Sequence, residues 1–224
     1  MTASATAAHG PADDPSGGPG PSPGPGRDRL DPVLIKLALV LMLGSLASGL
    51  DTTIVNVALD RLGRSFGVSV ATVQWVSTGY LLALTITMPL TGWATRRFGA
   101  RAMWLASLGT FLLGSMLCGI AWSMPALIAF RVLQGLGGGM LLPLVRVILG
   151  QAAGKERMGR AMVFVAVPGG LTPVLGPILG GLVVSALGWR WAFYINAPIC
   201  LLGLVLAWRL VPGGERGARR SRLD

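Results

Sequence analysis

The chain has 224 residues, 52% of them hydrophobic and 12% charged, with a formal net charge of +10 and a mean hydropathy of +0.65. Soluble domains carry about 25% charged residues, so this composition excludes an ordinary soluble domain and points to an integral membrane protein. The positive balance does not indicate nucleic acid, because the basic residues gather in short segments between apolar runs and build no basic face that follows phosphates.

Residues 1–34 open with a Pro-, Gly- and Ser-rich stretch that includes PSGGPGPSPGPGRDR and the lone His9. Nothing in it can bury a core, and a disordered cytoplasmic tail is expected. Six apolar runs follow, at about 35–59, 72–94, 102–122, 125–149, 160–187 and 191–210. Each is close to the roughly 20 residues that a helix needs to cross a bilayer. A helix is the open-ended structure that satisfies its own backbone in lipid. The expected fold is therefore an all-α transmembrane bundle of six helices over 35–210, ending in a basic cytoplasmic tail at 211–224.

Lys and Arg set the orientation. With the N-terminus inside, Arg27, Arg29, Lys36, Arg96, Arg97, Arg101, Lys155, Arg157, Arg160, Arg209, Arg216, Arg219, Arg220 and Arg222 fall on one side. Arg61, Arg64 and Arg190 fall on the other. Both termini are expected to be cytoplasmic, in a multi-pass protein of the plasma membrane. Cys118 and Cys200 lie inside apolar runs, with neither disulfide nor metal spacing. No cofactor and no metal site is expected.

Within the first run, LDTTIVNVA places Asp51 where a charge costs about 2.5–3.5 kcal/mol on insertion scales. The one deep basic residue is Arg131 in the fourth run; Arg146, nearer the cytoplasmic end, can snorkel. Asp51 lies eight residues before the end of the first run, about 12 Å at 1.5 Å per residue. Arg131 lies six residues into a run of opposite direction, about 9 Å. The two depths match, and a pairing is geometrically reasonable. It has two readings: a static ion pair locking two helices, or a titratable site in a polar cavity. Desolvation favours the neutral form of a carboxylic acid and a guanidinium favours the ionised form, so such a pair suits proton exchange. Thr52, Thr53 and Asn56 lie close in sequence to Asp51, and Gln134 is one turn from Arg131.

The fifth run reads VPGGLTPVLGPILGG over 167–181. Gly169, Pro173, Gly176, Pro177 and Gly180 recur at three- and four-residue spacing, which predicts one shared face. Small residues let helices approach closely in lipid, and prolines remove backbone hydrogen bonds and allow bending. The face is read either as static packing or as a hinge. Between the second and third runs, GWATRRFGARAMW crowds Arg96, Arg97 and Arg101 into a short turn. Plain positive-inside anchoring explains it; so does a latch whose arginines meet a carboxylate or helix C-terminal carbonyls in one state.

Together these residues resemble the major facilitator superfamily, and within it the fourteen-helix drug:proton antiporters. LDTTIVNVAL (50–59) looks like the first-helix motif, GWATRRFGAR (92–101) the loop 2–3 motif, and RVLQG (131–135) the helix-4 motif. GGLTPVLGPILGG (169–181) resembles the helix-5 antiporter motif, and WRWAFYINAPI (189–199) the signature that opens helix 6. The resemblance covers about residues 35–210 and implies proton-coupled export of small, amphipathic or cationic compounds. It gives Asp51 and Arg131, with Asn56 and Gln134, as the proton and substrate coupling site. It makes Gly92, Arg97, Gly99 and Arg101 a conformational latch, and Pro173, Gly176, Pro177, Gly180 and Gly181 a hinge.

Three departures stand out. Arg96 occupies the position of the loop 2–3 acid, Asp60 that of a proline, and the chain holds about half the family's helices. Six helices correspond to an N-terminal half built as a 3+3 inverted repeat. A truncated half is expected; a half completed by a C-terminal chain, or by a second copy, is the alternative, as is a membrane fragment that does not transport. The implied partners are protons, a small-molecule substrate and the lipid bilayer. An enzyme is not expected, because the spans hold no Ser/His, His/Glu or paired-Asp constellation.

Overall fold

The computed structural model describes residues 32–211. The expected tails therefore lie outside the described residues, except for 32–34, which already belong to the first helix, and Val211. Among the described residues six helices are long and apolar enough to cross a membrane: α1 Pro32–Phe66, α2 Val70–Phe98, α3 Ala100–Gly119, α4 Met124–Gly154, α5 Arg157–Leu187 and α6 Trp191–Leu210. α1, α2, α4 and α5 each contain one of the apolar runs and α6 coincides with its run, whereas α3 ends at Gly119, short of the run expected to reach residue 122. Where a helix exceeds its run, polar residues continue it beyond the apolar stretch. On α1 the exposed Asp60–Arg64 pair, one turn apart at 2.5 Å, does this.

Local chemistry fixes the helix ends. Ser69 Oγ accepts from the Thr72 amide at 3.4 Å, and Ser123 Oγ accepts from the Ala126 amide at 3.3 Å, capping α2 and α4. These caps satisfy donors that a helix start leaves open. Gly99 alone separates α2 from α3, at φ 86°, a conformation that side chains resist. From Met124 to Leu187 the backbone is helical except at Gly154, φ 69°, which parts α4 from α5. Pro168, Pro173 and Pro177 do not break α5.

Glycines set the interhelical distances. A Cβ on Gly135 would stand 2.6 Å from the Tyr80 carbonyl oxygen of α2, and one on Gly139 2.5 Å from that of Leu84. On the other flank, a Cβ on Gly137 would stand 2.5 Å from the Phe111 amide of α3. The GLGGG stretch thus lets α4 press against α2 and α3 at backbone contact, as small residues do in lipid. Its most apolar stretch is 56% buried, against 17% for α5, so α4 is central and α5 peripheral.

The apolar core divides in two. One cluster joins Leu41, Trp104, Phe111, Leu144 and Cys200; the other joins Ile54, Val76, Leu127 and Phe193. On α1 the first cluster ends at Ala47 and the second begins at Leu50. A layer of buried polar side chains lies at that junction.

Candidate functional site

Asp51, on α1, is fully buried, and Arg131, on α4, is 1% exposed. Arg131 Nη1 donates to Asp51 Oδ2 at 2.5 Å. The same Nη1 donates to Gln134 Oε1 at 2.9 Å, and Gln134 Nε2 donates to Asp51 Oδ1 at 2.9 Å. Arg131 and Gln134 are three residues apart on α4, so both reach Asp51 from one helix face. The three side chains close a ring of hydrogen bonds around one carboxylate.

Other helices complete the shell. Asn196, near the start of α6, donates from Nδ2 to Asp51 Oδ1 at 2.9 Å and to Ser115 Oγ of α3 at 3.1 Å. Ser115 Oγ in turn donates to the Phe193 carbonyl at 2.8 Å. From α2, the Val76 carbonyl accepts from Arg131 Nε at 3.3 Å. The Tyr80 ring lies under the guanidinium, 4.0 Å from its centre to Cζ, a cation–π contact strengthened by desolvation. Tyr80 Oη shares a hydrogen bond with Ser48 Oγ of α1 at 3.1 Å. A charge pair in so apolar a surrounding is tolerable only when its remaining donors and acceptors are met, and five helices contribute to meeting them.

Asn196, Ser115 and Tyr80 are absent from the sequence-derived site. Asn196 stands out in hindsight as the lone amide inside the apolar run YINAPIC. Asn56, expected beside Asp51, does not join: it is exposed and accepts from Ser77 Oγ of α2 at 3.0 Å. Five residues along a helix is about 140° round its axis, which turns Asn56 away from the carboxylate. Thr52 and Thr53 spend their hydroxyls on α1 carbonyls, those of Ser48 and of Gly49 and Leu50.

The α5 residues span an arc of about 100° on one face, but only part of that face is covered. Gly176 and Gly180 are buried with Thr172 in a four-residue stripe; Pro173, Pro177 and Gly169 are exposed. A Cβ on Gly176 would overlap the Thr53 side chain, and one on Gly180 would stand 3.1 Å from Ile54 Cα. Both glycines therefore seat α5 on the helix that carries Asp51. Gly181 has open space around it. Among the latch residues, Gly92 and Arg97 are exposed, Gly99 makes the α2–α3 turn, and Arg101 donates from Nη2 to the Trp208 carbonyl in the last turn of α6. Arg61 makes the matching contact at the other end of the bundle, to the Val184 carbonyl in the last turn of α5.

A cavity of about 490 Å³ lies elsewhere, between the end of α1 and the start of α2, lined by Leu59, Asp60, Gly63, Arg64, Val73 and Gln74 among others. It touches none of the buried polar layer. Among the described residues no group of His, Cys, Asp and Glu could hold a metal ion.

The family model for the Major Facilitator Superfamily matches residues 41–223. The chain is 46% identical over 210 residues to the multidrug resistance protein B homolog of Mycobacterium tuberculosis (strain CDC 1551 / Oshkosh), covering 94% of this chain and 39% of that protein. It is 38% identical over 190 residues to the multidrug export protein EmrB of Haemophilus influenzae, covering 85% and 36%. Among solved structures, the inward open conformation of the xylose transporter XylE from E. coli superposes with a TM-score of 0.67 at 19% identity, over 80% of this chain and 48% of that one. The chain spans about two fifths of the length of these curated relatives and corresponds to their N-terminal half. The fold is thus one half of a transporter, in a multi-pass membrane protein.

Proposed function

The chain belongs to the Major Facilitator Superfamily, and on that premise we propose that it forms the N-terminal half of a proton-coupled exporter of small amphipathic compounds. Both termini are then cytoplasmic, by the distribution of Lys and Arg. Asp51 is the proton-binding group, and Arg131 and Gln134 hold it. The observation that carries this reading is a buried carboxylate held at 2.5 Å by a buried guanidinium and at 2.9 Å by two amides. An acid so placed in a membrane bundle belongs to an ion or substrate pathway far more often than to a packing contact. Protonation from outside would remove the negative charge that a cationic substrate needs, so the two compete and exchange follows. The relatives named for multidrug resistance and export support the direction and the substrate class. The Arg101 contact to the end of α6 supports the latch, and the Gly176–Gly180 seat on α1 supports a sliding contact at the hinge.

The share of the relatives covered, 39% and 36%, favours a second reading of the same chain. It inserts as described but transports only when a second half or a second copy completes the cavity, since such cavities lie between two halves. Proteoliposomes containing the chain, with a pH indicator inside, test both. Drug-dependent proton release that Asp51→Asn abolishes supports transport by this chain. Silence from both proteins supports the need for a partner. Release that persists in Asp51→Asn refutes the assignment of Asp51.

A further inference from the structure

Every side-chain atom bonded to Asp51 is a donor: Arg131 Nη1 on Oδ2, and Gln134 Nε2 and Asn196 Nδ2 on Oδ1. That set suits an ionised carboxylate, which only accepts. A protonated acid must also donate, and a buried donor without an acceptor is strongly disfavoured. The question is which neighbour can supply the acceptor.

Arg131 cannot, because a guanidinium has donors only; a proton on Oδ2 would face another N–H. The proton therefore belongs on Oδ1, opposite the two amides. Gln134 is locked. Its Oε1 already accepts from Arg131 Nη1 at 2.9 Å and from Cys118 Sγ at 3.7 Å. Turning that amide over would set its NH2 against the guanidinium. Asn196 is different: its Oδ1 is buried and has no hydrogen-bond partner. Its Nδ2 is shared between Asp51 and Ser115 Oγ, and a hydroxyl can face either end of an amide because it both donates and accepts. A half-turn of the Asn196 amide breaks no bond to a charged donor and brings an acceptor to Asp51. It exchanges the Nδ2 bonds to Asp51 and Ser115 for bonds that Asn196 Oδ1 accepts, with Ser115 Oγ turning its hydrogen from the Phe193 carbonyl to that oxygen.

We propose that Asn196 is a positioning residue that reads the protonation state of Asp51. With Asp51 ionised it donates from Nδ2 to Oδ1. When a hydronium ion gives one proton to Oδ1 and leaves as water, the carboxylate becomes a neutral acid and no heavy-atom bond breaks. The amide turns about its Cβ–Cγ bond, and Asn196 Oδ1 accepts the new O–H. Because Asn196 sits near the start of α6, the proton on α1 is thereby reported to a third helix. The titratable and charged groups facing Asp51 are Tyr80 from α2, Cys118 from α3, Arg131 from α4 and Cys200 from α6. The charges on α5 are at its start, at Arg157 and Arg160. None of these groups offers the acid an unoccupied acceptor of the kind Asn196 presents.

The inference rests on the reading of Asp51 as the proton-binding group, and infrared difference spectra of the full chain in lipid nanodiscs, acidic minus neutral, test the two separately. The chain has two asparagines, Asn56 and Asn196, so carbonyl-13C asparagine labelling is nearly site-specific without any mutation. The expected result is an acid C=O band that Asp51→Asn removes, accompanied by a downshift of the labelled amide carbonyl. In Asn196→Val the acid band moves to higher wavenumber, as for an acid without an acceptor. An Asp51 band with an unmoved asparagine carbonyl, or a band at the same position in Asn196→Val, overturns the role of Asn196 and leaves the proton site standing. Absence of any Asp51-dependent band overturns both. A residue that merely donated to the ionised form would leave the acid band unmoved.

Discussion

Replacing Arg131 with methionine keeps an unbranched apolar stem and deletes the charge. The change removes the 2.5 Å pair to Asp51, the 2.9 Å bond to Gln134, the 3.3 Å bond to the Val76 carbonyl and the contact 4.0 Å above the Tyr80 ring. Asp51, fully buried, then has two neutral amide donors and no counter-charge. Breaking a buried pair from one side costs about 3–5 kcal/mol. The penalty is therefore expected at about 3–5 kcal/mol, a factor of roughly 10² to 10⁴ in the folding equilibrium. Asp51→Asn in the same background removes the stranded charge, so the double variant should recover at least about 2 kcal/mol of that loss. Hydrogen-bonded polar pairs in membrane bundles couple by only about 0.6 kcal/mol on average. Reversible unfolding in bicelles of the wild type, both single variants and the double variant gives the coupling directly. A loss below about 1 kcal/mol for Arg131→Met, or single effects that simply add, would refute the buried-charge account.

Two further outcomes follow from the packing. Gly176→Val drives a branched side chain into Thr53 and is expected to lower stability in the same unfolding assay by about 1–3 kcal/mol, as overpacking does. Gly181→Ala, with nothing within 4 Å of the added Cβ, should stay within about 0.5 kcal/mol of wild type; equal effects at the two positions would show that α5 does not rest on α1 through the Gly176 stripe. Asn56→Ala removes one exposed bond to Ser77, so a stability change beyond about 0.5 kcal/mol, or an altered Asp51 band in the infrared difference spectrum, would mean that Asn56 belongs to the buried layer after all.

The elements were legible in the sequence because a bilayer imposes a length and a polarity on each of them. Six runs of near-bilayer length correspond to six helices among the described residues. The Asp51–Arg131 pair was legible for a related reason. With one acid and one deep base in the spans, counting residues from the helix ends placed both at similar depth, and apolar surroundings leave such charges little choice but each other. Gln134 followed from its i+3 spacing. Asn56 was misplaced because closeness in sequence stood in for closeness in space; the helical angle of about 140° was available and points it away. The α5 prolines share an arc with the glycines, yet Gly176 and Gly180 press on α1 while Pro173 and Pro177 are exposed.

What the residues determined unaided was the set of spans and the identity of the buried charges, since hydropathy and desolvation act on each helix separately. The remaining partners of Asp51, namely Asn196 with Ser115 behind it and the Tyr80 ring beneath Arg131, arise only when α2, α3 and α6 close around α1 and α4. Lateral order in a bundle is set by which small-residue faces fit which backbones. No periodicity within one helix encodes that fit, because it is a property of two surfaces at once.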